Sequence, residues 1–177
     1  MTNKLIILTL TLLSFHANGQ SKNDTSKKVT SQELADRIAI SELINNYSRF
    51  ADRREPQKQA NLFTDNATIE IFHKEPGNNK PDAILHGGSE FITGFESLKK
   101  YEVTMHFNGQ STITIKGDSA TGEVYCLAHH VWTEQGIRML MIMGIRYNDT
   151  YVRKNDNWFF AKRKLIFDWT DKRPSSE

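Results

Sequence analysis

Cysteine is almost missing: Cys126 is the only one among 177 residues. No internal disulfide can form, so the fold must be held by its core. Cys126 sits in a strand-like run and reads as a small buried hydrophobe rather than a nucleophile. The His-x-x-x-His and Cys-x-x-Cys spacings of a metal site are missing, and no metal is expected. Glycine-rich phosphate loops, a nucleophile-elbow serine and dinucleotide fingerprints are missing as well, so no cofactor is expected. Charge of one sign is also lacking. The 23 Lys and Arg balance 21 Asp and Glu to a net +2, which gives no argument for nucleic acid or an anionic membrane surface. Finally, no apolar run reaches the roughly 20 residues of a membrane span.

What is present begins with a leader pattern. Lys4 supplies a basic start, Leu5 to Phe15 an apolar stretch, and Ala17-Asn18-Gly19 a small-x-small cleavage site. Residues 1–19 therefore read as a signal peptide, and the protein as exported, periplasmic or secreted, with no membrane attachment after cleavage. Residues 20–30 are polar and lysine-rich, a disordered lead-in. A single domain is expected over 31–171, with a tail over 172–177.

Within that domain Ser31 opens a helix as its expected N-cap. Leu34, Ile38, Ile40, Leu43, Ile44, Tyr47, Phe50 and Ala51 give it an apolar stripe. Pro56 begins a second, short helix through Gln59. The period then changes to two: Ala67–Phe72 and Ala83–His86 read as strands, and Gly88–Tyr101 as helical. Four longer strands follow, Val103–Lys116, Ala120–Thr133, Ile137–Val152 and Trp158–Trp169, separated by turns such as Lys154-Asn155-Asp156-Asn157. Helices followed by an antiparallel meander make an α+β pattern, a curved sheet with helices across one side and a cavity between them.

One residue breaks the last strand. Strict alternation puts Phe159, Ala161, Arg163, Leu165, Phe167 and Trp169 on one face. A guanidinium among aromatics needs a facing carboxylate or an anionic ligand. Asp52, at the end of the first helix, is a candidate partner, since the helix dipole disfavours it there. His106 opens a sheet strand and is the residue type suited to moving protons near neutral pH. His129 and His130 alternate, so only one of them can face a given cavity. The run from Arg138 to Ile145 carries Met139, Met141 and Met143, a pliable apolar wall.

Asp52, His106 and Arg163, in this order and element context, resemble the SnoaL-like family of the nuclear transport factor two-like superfamily. Tyr47-Ser48-Arg49-Phe50-Ala51-Asp52, the Gly122 to His130 run and Trp158 with Lys162-Arg163 carry the same resemblance, which covers about Ser31 to Trp169. It implies a cone-shaped, mixed or antiparallel β-sheet with N-terminal helices packed across it, and a homodimer or homotrimer built through the open sheet. The closest pattern is similar to lindane dehydrochlorinase and scytalone dehydratase. It implies Asp52 as the orienting carboxylate, His106 as general base, Arg163 assisting a leaving anion and His130 on the acid side of a water loss. Tyr47, Met141, Met143, Phe167 and Trp169 are the expected pocket lining. Two departures leave the leaving group open: Ala51 stands where the dehydratase has tyrosine, and the dehydrochlorinase has no counterpart to His130. The expected function is a cofactor-free lyase or isomerase acting on a small apolar molecule. The alternative is a non-catalytic ligand-binding or association domain of the same fold. In the first case Arg163 is free for a substrate anion; in the second it is neutralised by Asp52.

Overall fold

A computed structural model describes residues 29–175 except 75, 78 and 79. The expected leader and most of the lead-in lie outside the described residues. Helix α1, Ser31–Asp52, is capped by Thr30, one residue earlier than expected, whose hydroxyl accepts from the Glu33 N–H at 3.0 Å. Its stripe is shorter than the sequence suggests. Ile40, Leu43, Ile44, Tyr47 and Ala51 are buried, while Leu34 and Ile38 face solvent. Helix α2, Pro56–Ala60, carries proline in its first turn, where a missing N–H costs nothing. Strands β1, Phe63–Phe72, and β2, Ala83–His86, precede helix α3, Ser89–Glu96, and one 3₁₀ turn, Ser97–Lys100. Strands β3, Val103–Lys116, β4, Ser119–Glu134, β5, Ile137–Lys154, and β6, Asn157–Pro174, complete the chain. The last strand thus runs past the expected domain end.

The six strands form one open mixed sheet in the order β2-β1-β6-β5-β4-β3. Only the β1–β6 pair is parallel. The helices cover the concave face, where Tyr47 makes edge-on contacts with Phe63, Phe95, Tyr147 and Phe160 at 5.8–5.9 Å between centroids. The fold is α+β and nuclear transport factor two-like, as the resemblance implies.

Alternation in β6 is interrupted twice. The pairing steps from Tyr151↔Phe160 to Thr150↔Lys162, and again from Ile145↔Phe167 to Gly144↔Trp169. Ala161 and Asp168 are therefore bulge residues, each of which bends the strand and inverts the faces beyond it. The first bulge brings Phe160, rather than Phe159, onto the face of Arg163. The second sends Trp169 to the outer face, against Gly144, where any Cβ would overlap its indole. The expected single face from Phe159 to Trp169 is thus three short faces joined by two bulges.

Candidate active site

The end of α1 is tied to the start of β3 by Arg54. Its backbone takes the left-handed conformation (φ 57°), uncommon for a residue with a Cβ. Its guanidinium donates to the Asp52 carbonyl (2.6 Å), the Thr104 hydroxyl (2.8 Å) and the Tyr101 carbonyl (3.1 Å). Asp52 is thereby held against an edge strand whose His106 N–H has no strand partner. That N–H donates to Asp52 Oδ2 at 3.0 Å, and the Thr104 hydroxyl donates to Oδ1 at 3.1 Å. His106 Nδ1 lies 2.7 Å from the same Oδ1. Burial opposes the Asp52 carboxylate, but the His106 ring and backbone, with Thr104, outweigh it and hold its pKa below the ordinary value.

A carboxylate on Nδ1 fixes the neutral tautomer with the proton there, leaving Nε2 as the lone-pair nitrogen. The His106 ring borders a cavity of about 190 Å³, and Nε2 has no protein partner among the described residues. His130, opposite Thr104 on β4, borders the same cavity. Its ring stacks on Tyr101 at 4.4 Å and meets His106 edge-on at 5.6 Å. Both of its ring nitrogens are buried without a partner among the described residues. Burial, then the proximity of His106, depresses its pKa to about 4, so it is neutral at physiological pH. His129 falls on the other face, as alternation requires. Cys126 is buried, and desolvation pushes its thiol up to about 11, which leaves it inert.

Arg163 is not brought to this cavity. Its side chain is fully buried, and Nε and Nη2 donate to the two oxygens of Asp149 at 2.8 and 2.7 Å. Its guanidinium carbon lies 4.0 Å from the centroids of Tyr47 and Tyr147 and 4.3 Å from that of Phe160. Neither expected partner applies: Asp52 serves His106, and no ligand in the cavity reaches this charge. Desolvation opposes the cation, yet Asp149 more than offsets it and raises the Arg163 pKa. The pair is a structural post behind the cavity wall.

Of the expected lining residues, Tyr47, Met143 and Phe167 border the cavity. Met141 packs against the core one pleat further along β5 and does not line it. Trp169 is turned to the outer face by the Asp168 bulge. The sequence reading missed Arg54, Thr104, Tyr101, Asp149 and Gln59. Arg54 was visible only as a charge beside Asp52. Asp149 could be found only by knowing the register of the β5–β6 hairpin.

Residues 32–164 match the model of the SnoaL-like domain. The chain belongs to the SnoaL-like family. An uncharacterized Mycobacterium tuberculosis protein is 25% identical to this SnoaL-like chain over 131 residues, covering 74% of this chain and 84% of that protein. A Novosphingobium aromaticivorans protein provisionally assigned as a scytalone dehydratase superposes with a TM-score of 0.67 at 23% identity, over 81% of this chain and 91% of that one. The type-3 hexachlorocyclohexane dehydrochlorinase of Novosphingobium barchaimii gives 0.66 at 16% identity, over 81% and 94%. At such identities these likenesses establish the fold of the SnoaL-like domain and no more.

Proposed function

We propose that this SnoaL-like protein is a cofactor-free lyase or isomerase that removes a proton from carbon in a small, largely apolar molecule. The observation that carries this reading is the 2.7 Å contact between Asp52 and His106 Nδ1, with the same ring bordering the cavity. Nε2 takes the proton as general base, and Asp52 stabilises the imidazolium that forms. Neutral His130 donates a hydrogen bond to developing negative charge or to a departing hydroxyl. With Arg163 sequestered and no Lys or Arg bordering the cavity among the described residues, water loss or proton transfer is favoured over dehydrochlorination. The dehydratase and dehydrochlorinase named above are the relatives in fold that lend this reading its reaction class.

The test is α-carbon deuterium incorporation and enone formation in D₂O across a panel of small β-hydroxyketones. His106→Ala should lower either rate by about 10²–10⁴-fold. Unchanged turnover in that variant would sink the mechanism. A panel on which the native protein itself is inert would favour the non-catalytic reading.

A second reading, association through the sheet, has its own observation. Met105, Phe107, Tyr125, Leu127 and Trp169 stand 40–66% exposed on the outer face, a contiguous kind of surface that marks interaction sites. We take it as the interface of a homodimer or homotrimer, compatible with either function. Export after cleavage at Gly19 belongs to the same proposal.

A further inference from the structure

Gln59 is a polar residue of the cavity lining with no role in the reading above. Gln59 lies on α2, where its neighbours Gln57 and Lys58 are exposed while it is only 2% exposed. Its backbone is fully committed: the N–H donates to the Glu55 carbonyl at 3.0 Å and the carbonyl accepts from Leu62 at 3.3 Å. Gln59 borders the cavity, and its side-chain amide has no hydrogen-bond partner among the described residues. Burying an amide forfeits its bonds to water, and in a wall that is otherwise mainly apolar a leucine would avoid that loss. Pro56 and the Glu55 bond fix the backbone that carries it, so the side chain reaches the cavity from a rigid support.

The charge around the cavity narrows the ligand. Among the described residues, no Asp, Glu, Lys or Arg borders it. Behind that wall Arg163 is paired with Asp149, and Asp52 is bonded to His106. A charged ligand would find no opposite charge on that lining.

We propose that Gln59 is a recognition residue whose Nε2–H donates to an uncharged acceptor oxygen on the ligand, and that it sets the preference of the cavity for oxygenated over plain hydrocarbon molecules. This deepens the proposed function by naming what its substrate carries. It rests on the cavity being the ligand site, and not on His106 acting as a base.

The test compares 1-indanone with its carbon isostere 1-methyleneindane, using ligand-observed NMR titrations of the folded protein. The native chain should bind the ketone about tenfold more tightly, the scale of one buried neutral hydrogen bond. Gln59→Leu should bind both alike, with methyleneindane no weaker than in the native chain. If Gln59→Leu does not fold, Gln59→Met is judged by the same criteria. His106→Ala should keep the preference even where it abolishes turnover, which separates this proposal from the proposed mechanism. Equal affinities in the native chain, binding of neither probe, or a preference that survives in the Gln59 variant would each overturn it.

Discussion

Arg163→Ala would leave the Asp149 carboxylate buried beside Tyr151, which donates to it at 2.9 Å, with its cation gone. An uncompensated buried charge costs about 3–5 kcal/mol, a large share of the stability of a single domain. Thermal denaturation should show a large fall in Tm for Arg163→Ala. The double variant Arg163→Met with Asp149→Leu should recover most of it, because no charge is then stranded. A site role for Arg163 predicts the opposite: a stable single variant that is inactive. The sequence made this arginine conspicuous and could not say whom it served. Asp52 was the visible acid, and it turned out to hold His106. The pairing of Asp52 with His106 was legible only through the family resemblance; placement alone offered Asp52 as a partner for Arg163. The pairing with Asp149 was hidden by register.

That register belongs to the hairpin of β5 and β6. Counting down from Lys154↔Asn157 without a break would set Arg163 opposite Asn148. The bulge at Ala161 shifts the ladder by one, and Arg163 meets Asp149 instead. An inserted residue leaves no mark in composition, which is why strands and turns could be read and their faces beyond the bulges could not. The second bulge has its own test. Gly144→Ala puts a methyl into the space filled by the Trp169 indole. Overpacking of this kind costs about 1–3 kcal/mol, and it should lift the indole from the sheet. A red-shifted tryptophan emission with a modest drop in stability is expected; an unshifted spectrum would mean that the indole does not rest on Gly144. On the helical side, the first helix was placed to within a residue. The end of its apolar stripe was not, because there it is Asp36 that faces the sheet, bonded to Trp158 and Arg153, and Leu34 and Ile38 point to solvent.

For the molecule as a whole, the outer face of the sheet is the surface that the fold leaves uncovered. Phe107, 66% exposed on β3, and Leu127, 40% exposed on β4, are direct cross-strand partners. Replacing both with lysine should convert an oligomer into a monomer on size-exclusion chromatography with light scattering, while far-UV circular dichroism stays native. A native chain that is already monomeric at high micromolar concentration would rule this interface out.

The strand order also says when such a molecule can exist. The strand made last, β6, lies in the interior of the sheet, and β1, made first, reaches the meander only through it. Until that final strand emerges, β1 and β2 have no sheet to join, and the Arg163 post has no arginine. Non-local pairing of this kind is slow to form. Closure of the sheet therefore waits until β6 has been made, however early the other strands emerge.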